Sequence, residues 1–184
     1  MSKDDLPWHT SRLILRRFQR ADLAALMAYR HDPAVGQFQT FRADETEAEL
    51  AQFIVHMQTL EPLRGLQIAL ALRPTDVLIG DIYLRGIMDE QAEIGYTLAS
   101  AYQGHGYASE AVTRLLEYCF GALNLHRVIA ICSVHNTASI QLLERIGWRR
   151  EAHMRQSYRY GDEWHDEFQY AILKNEWRLQ PLDS

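Results

Sequence analysis

The sequence predicts an α+β domain, or a mixed α/β one, built in layers. Three features carry that reading. Segments rich in β-branched and aliphatic residues follow one another from 66 to 98, broken only by short turns, as in an antiparallel meander. A strand–helix–strand–helix succession then runs from 92 to 147, and such crossovers join parallel strands. Two further strand segments close the pattern.

In chain order, RLILRRF (12–18) alternates at its start and reads as a strand. A short helix is expected from about Asp22 to His31, with Leu23, Leu26 and Met27 on one face and Pro33 after it. A second helix begins near Asp44, where Asp44 and Glu47 have the spacing of a capping box, and its stripe is Leu50, Phe53, Ile54 and Met57. LQIALAL (66–72), VLIGDIYLRG (77–86) and AEIGYTL (92–98) are three consecutive strands with turns at 74–76 and 88–90.

From Ala108 the apolar positions are 108, 111, 112, 115, 116, 119, 120 and 123. Those steps of three and one mark a helix laid on a sheet. RVIAICSV (127–134) is almost wholly apolar, as in a strand covered on both faces. A helix from Thr137 to Ile146 stops at Gly147. The last two strands, near 148–158 and 164–173, meet at YGDE. With no repeat, low-complexity tract or linker in view, residues 1–184 read as one domain.

Composition narrows the function classes. Hydrophobic residues make up 47% and aromatics 10%, an ordinary globular balance. The net charge of −5 argues against nucleic acid as a direct ligand. Cys119 and Cys132 both sit in apolar runs and read as buried thiols, with no disulfide framework or cysteine zinc site. The start, MSKDDLPWH, has no basic n-region or apolar h-region, and no apolar run reaches the ~18 residues of a membrane span. A cytoplasmic protein, with no membrane partner, is expected.

The chemistry is concentrated in YQGHGYASEAV (102–112). Gly104 and Gly106 flank His105 where a helix begins. Glycines there permit positive φ and let a ligand approach the backbone, and a helix start offers unpaired N–H groups and partial positive charge. Together they suit a diphosphate, although a loop that only turns from strand to helix could use the same residues. A P-loop would need Lys-Ser/Thr where Tyr107-Ala108 stand. A dinucleotide fingerprint would need a third Gly or Ala where Ser109 stands, and a carboxylate near Ser133.

QGHGYA (103–108) resembles the Q/R-x-x-G-x-G/A signature of the GNAT superfamily of acyl-CoA N-acyltransferases. The wider YQGHGYASEAV is similar to the branch holding the Rim-type ribosomal-protein N-terminal acetyltransferases, as are TSRLILRRF, VHNTASIQLLERIGWRREA (134–152) and DEFQYAIL (166–173). Tyr102 departs from the tryptophan common there. The resemblance implies a central mixed, mostly antiparallel sheet of about seven strands with helices on both faces. It also implies acetyl-CoA as cosubstrate and an amine as acceptor, in a monomer or a homodimer. In that reading the amides of Gln103, Gly104, His105, Gly106, Tyr107 and Ala108, with Ser109, receive the diphosphate. The pantetheine arm lies along the strand carrying Tyr96, Thr97 and Leu98, wedged between it and 127–134.

Asn136 suits a helix N-cap, and Ser139 lies on the apolar face of Leu142, Leu143 and Ile146, where a bond to a backbone carbonyl could satisfy it. The resemblance implies that Asn136 touches pantetheine or acceptor and that Ser139 sits near the coenzyme sulfur, as a donor to the leaving thiolate. Glu93 shares a strand face with Gly95 and is either a solvated carboxylate or a general base. Tyr158 and Tyr160 are alternatives for proton handling. His105 could touch a phosphate or face solvent. His126, His135 and His165 have no metal-ligand spacing, and no metal is expected.

The amine would attack the thioester directly, with an N–H of the 92–98 strand stabilising the oxyanion. Deprotonating an α-amine at pH 7 costs roughly 1 kcal/mol, and a lysine ε-amine roughly 4.6 kcal/mol. A site without a strong base therefore suits a protein or peptide N-terminus, with a small amine (polyamine, antibiotic or amino acid) or a non-catalytic acyl-CoA-binding sensor as the alternatives. Acceptor choice is expected from the loop 34–45 and the hairpin at Gly161. Phe38, Phe41, Tyr158, Tyr160 and Trp164 would form the walls. Asp162, Glu163, Asp166 and Glu167 would either draw a cation or form a solvated turn.

Overall fold

A computed structural model describes residues 6–160 and 162–177, without the side chain of Tyr160. Eight strands form one sheet in the order β1-β2-β3-β4-β5-β6-β8-β7. They are β1 (Trp8–His9), β2 (Leu13–Arg16), β3 (Arg64–Leu72), β4 (Leu78–Met88), β5 (Gln91–Leu98), β6 (Arg127–Ser133), β7 (Arg149–Tyr160) and β8 (Glu163–Leu173). The helices are α1 (Leu23–Arg30), α2 (Pro33–Gly36), α3 (Glu47–Thr59), α4 (Tyr107–Phe120) and α5 (Thr137–Arg145). Every neighbouring pair is antiparallel except β5 and β6. The meander and the mixed sheet are therefore as expected, with one strand more than the seven foreseen. Two residues, Trp8 and His9, make the extra strand, too short to show a period.

Two other expectations are corrected. The first predicted strand, 12–18, is shorter and covers Leu13–Arg16. The second helix is capped by Thr46, not Asp44: the Thr46 hydroxyl accepts from Glu49 N–H while the Glu49 carboxylate accepts from Thr46 N–H. Threonine wins because it sits three residues before a glutamate and directly ahead of the apolar stripe. Asp44 instead pairs with Arg42.

Apolar side chains cover both faces of the sheet. The larger cluster joins Ile68, Leu70, Ile82, Leu84, Ile94 and Val128 to α4 through Ala111, Val112, Leu115, Leu116 and Cys119, and includes Leu142 and Leu143 of α5. The smaller packs Leu26 and Tyr29 of α1 and Leu50, Ile54 and Met57 of α3 over Ala69 and Leu78. The predicted stripe of α4 is thus the buried one. Truncating Leu115 or Leu116, both wholly inaccessible, would cost about 2–5 kcal/mol.

The feature that positions the site is an opening in the sheet. Parallel pairing of β5 with β6 runs from Gln91–Arg127 to Ile94–Ala130 and stops, though β5 continues to Leu98 and β6 to Ser133. On its other side β5 stays paired with β4 as far as Leu98–Gly80. Ala99 N–H bonds back to Ile79 on the β4 side. Backbone alternation then turns the N–H groups of Tyr96 and Leu98 toward the opening.

Candidate active site

The two glycines hold the conformation foreseen for them. Gly104 has φ +78° and Gly106 φ +81°, and Gly106 is the N-cap of α4. Left-handed backbone at both ends of His105 strongly favours glycine. It leaves the loop without side-chain bulk at the end of a 14-residue helix. The Gln103 side chain turns inward and donates to the Leu98 carbonyl at 2.9 Å, tying the loop to the end of β5. His105 is exposed, its ring stacked 6.0 Å from that of Tyr107. Ser109, on the first turn, accepts from Arg145 at 2.8 Å.

A residue not singled out in the sequence, Arg12, braces this loop. Its Nη1 donates to the His105 carbonyl at 2.8 Å and its Nε to Glu110 Oε2 at 2.7 Å, and its guanidinium lies 4.6 Å over the Tyr107 ring. Glu110 is buried and also accepts from Ser11 Oγ and Arg12 N–H. Burial alone would raise the Glu110 pKa, but these bonds and Thr10 outweigh it and hold the carboxyl below the ordinary glutamate range. Contacts spanning about a hundred positions leave no local signal in the sequence.

Beside the end of the β5–β6 pairing lies a cavity of about 850 Å³, which residues 103–109 do not line. It takes Glu93, Gly95 and Thr97 from one face of β5 and Ile94 and Tyr96 from the other, because it runs into the opening beside β6. The far wall is Cys132 and Ser133 of β6 with Asn136, Ser139 and Leu143, and the mouth carries Phe38, Phe41, Tyr158, Glu163, His165 and Glu167. The structure thus brings Tyr96, Thr97, Asn136, Ser139, Glu93 and Tyr158 around one space, while Leu98 does not line it.

Several expected walls differ. Trp164 is 57% exposed and does not line the cavity. The Tyr160 side chain and Gly161 lie outside the described residues. Asp162 pairs with Arg159, and Asp166 accepts from His153 and from Gln156 N–H, so neither faces the acceptor space.

Asn136 caps α5, its Oδ1 accepting from Ser139 N–H at 3.1 Å, and its amide NH2 finds no partner among the described residues. The Ser139 hydroxyl, for which a carbonyl bond is the alternative reading, stands near the hydroxyl of Tyr96. That Tyr96 oxygen is buried with no hydrogen bond of normal geometry among the described residues. Burial pushes the Tyr96 pKa well up, and Ser139 offsets part of the rise. Both are therefore protonated donors at neutral pH, at the edge of the opening.

Glu93 is ion-paired with Arg85 at 2.7 Å, across the β4–β5 register. A second carboxylate, unremarked in the sequence, lines the same face: Asp81, opposite Thr97, is buried and accepts from the Tyr29 hydroxyl. Burial raises its pKa, partly countered by Arg30 and Tyr29. Arg30, itself buried, is held between the rings of Phe41 and Phe53 and paired with Glu45 at 2.9 Å, which anchors the loop bearing Phe38 and Phe41.

The thiols are not nucleophiles here. Burial pushes Cys119 up to about 12 and Cys132 up to about 11, so both are protonated at pH 7, although Cys132 reaches the cavity wall. Among the described residues no group of three His, Cys, Asp or Glu side chains is placed to hold a metal, and no helix is long and apolar enough to cross a membrane.

A left-handed glycine loop at a helix start, and parallel strands that part beside a cavity, are the features expected of an acyl-coenzyme A transferase. The chain belongs to the acetyltransferase (GNAT) domain family, whose model matches residues 12–149, and it is an acetyl-CoA-dependent N-acetyltransferase. It is 36% identical over 169 residues to the uncharacterized N-acetyltransferase YnaD of Bacillus subtilis, covering 91% of this chain and 97% of that one. A crystal structure of a GNAT-family acetyltransferase from Bacillus anthracis superposes with a TM-score of 0.82 at 32% identity, over 92% of this chain and 99% of that one. Shorter matches reach two kinds of acceptor. One is the putative ribosomal N-acetyltransferase YdaF of Bacillus subtilis, 35% identical over 54% of this chain and 56% of the relative. The other is the spermidine N(1)-acetyltransferase of Vibrio cholerae, 29% identical over 54% and 59%.

Proposed function

We propose that this enzyme, acting as a single domain in the cytoplasm, acetylates the α-amine of a protein or peptide N-terminus, as in the Rim-type branch. The observation that carries the reading is the state of Glu93. It is the carboxylate of β5 in the acceptor cavity, and it is already committed to Arg85. With that carboxylate already engaged by a guanidinium, the cavity suits an amine that costs roughly 1 kcal/mol to deprotonate at pH 7 better than one that costs roughly 4.6 kcal/mol.

In this reading the coenzyme's diphosphate rests on the N–H groups of Gln103 to Ala108, and its pantetheine arm fills the opening, pairing with Tyr96 and Leu98. The neutral amine forms its bond to the thioester carbon while the C–S bond breaks. The amine gives up one proton, through Glu93 or Tyr158 directly or by water; the sulfur takes one up from Ser139, and the proton released by the amine passes by water to restore the Ser139 hydroxyl. The Tyr96 N–H, aimed at the opening, is placed to stabilise the oxyanion. Asn136 orients the arm or the acceptor.

A small polyamine is the second reading, favoured by Glu163 and Glu167 at the cavity mouth and by the spermidine acetyltransferase relative. Thiol release from acetyl-CoA tests the choice. Peptides with a free N-terminus should support turnover, and the same peptides with a blocked N-terminus and an internal lysine should not. Turnover with spermidine and none with any peptide would replace the first reading by the second.

A further inference from the structure

The loop proposed to hold the diphosphate contains no arginine or lysine, and the whole chain carries −5. Coenzyme A brings a diphosphate and a 3′-phosphate. Backbone N–H groups and one helix terminus meet that charge with partial charges only.

One full positive charge is built into the loop. The Arg12 guanidinium is fixed at three points: Nε on Glu110 at 2.7 Å, Nη1 on the His105 carbonyl at 2.8 Å, and its face over Tyr107 at 4.6 Å. Its Nη2 donates to no group among the described residues. A Cβ placed on Gly106 would come within 3.4 Å of that nitrogen, so the unused edge of the fork lies against the loop's surface. The partner carboxylate, Glu110, is only 4% accessible, while Arg12 is 47% accessible. The ion pair is thus a fixed dipole with its positive end outward, at the loop.

We propose that Arg12 is a coenzyme ligand, its Nη2 donating to an oxygen of the diphosphate held by residues 103–108. This rests on the reading of that loop as the diphosphate cradle. The guanidinium is already ordered, so little side-chain entropy remains to be lost on binding. A lysine could not hold the carbonyl, the carboxylate and a phosphate in one plane.

The test is NMR titration of the full chain with coenzyme A and with pantetheine, which lacks the phosphates, at low and high salt. The variants are Arg12→Gln, the pair Arg12→Gln with Glu110→Gln, and Arg145→Gln. The paired change removes the buried carboxylate that the single change leaves without its cation, which guards against loss of fold. Arg145→Gln deletes another cation, at the end of α5, whose guanidinium donates to Ser109 in the first turn of α4. Arg12→Gln, alone and paired, should weaken coenzyme A about ten-fold, leave pantetheine unchanged and flatten the salt dependence. A loss for coenzyme A that leaves its salt dependence unchanged would make Arg12 a brace only, and equal losses in the Arg12 and Arg145 variants would make the effect a diffuse field. Either result, or no loss at all, overturns the assignment. If the wild-type amides of 103–108 do not respond to coenzyme A while it binds, the cradle itself fails, a different result from any of these.

Discussion

Ile94 and Ala130 are the last residues to pair between β5 and β6; beyond them the two strands part around the cavity. Past that point no strand pairs with the Tyr96 and Leu98 N–H groups of β5, and in the proposed complex the pantetheine arm takes that place. Bound coenzyme should slow hydrogen exchange at the Tyr96 and Leu98 amides by at least about ten-fold and leave Ile94, which is already paired, unchanged. Exchange-detected NMR with and without acetyl-CoA checks this.

If the Ser139 hydroxyl serves the leaving thiolate as proposed, Ser139→Ala should lower kcat ~10- to 100-fold while the KM for acetyl-CoA moves less than about three-fold. Tyr96→Phe removes a buried oxygen that bonds to nothing of normal geometry among the described residues, so thermal unfolding should show no loss of stability beyond about 0.5 kcal/mol. Steady-state kinetics and melting curves separate the two.

Glu110 contributes acid-labile stability. Its folded pKa lies below the ordinary value, so its contribution is complete above the unfolded pKa of about 4.3 and is lost as pH falls through the folded value. Glu110→Gln should lower Tm at pH 7, and the gap from wild type should close below about pH 4. A gap that stays constant with pH would mean that packing, not charge, holds the residue.

Asp81 has the opposite sign. Its folded pKa is raised by burial, so its ionised form costs stability, a cost absent below about pH 4 and complete above the raised pKa. Asp81→Asn should therefore gain relative to wild type as pH rises from 4 to 7.5, seen as a growing difference in Tm.

Much of this was legible in the sequence where the signal is local. The steps of three and one from Ala108 mark the buried face of α4, and Gly104 and Gly106 take the positive φ that their spacing suggested. Signals failed where two local options competed or where partners lie far apart. Asp44-x-x-Glu47 and Thr46-x-x-Glu49 overlap, and only the second precedes the helical stripe in phase. Arg12 meets Glu110 across 98 positions, and Asp81 is one carboxylate in a strand until the fold sets Tyr29 and Arg30 around it. Trp164 reads as a pocket wall by type, but its place on β8 leaves it in solvent.

The glycine loop is poorly tested by substitution. A side chain at Gly106 would be strained by φ +81° and would crowd Arg12, and one at Gly104 would be strained by φ +78°. Loss of binding would then not distinguish a filled cradle from a distorted one.

The direct measurement is a backbone amide titration of the wild-type chain with coenzyme A. The account predicts the largest shifts at Gly104, Gly106 and their neighbours between 103 and 108, growing in step with occupancy and absent when pantetheine is added instead. Binding of coenzyme A that leaves those amides unmoved, with the phosphate-dependent shifts elsewhere on the chain, would contradict it.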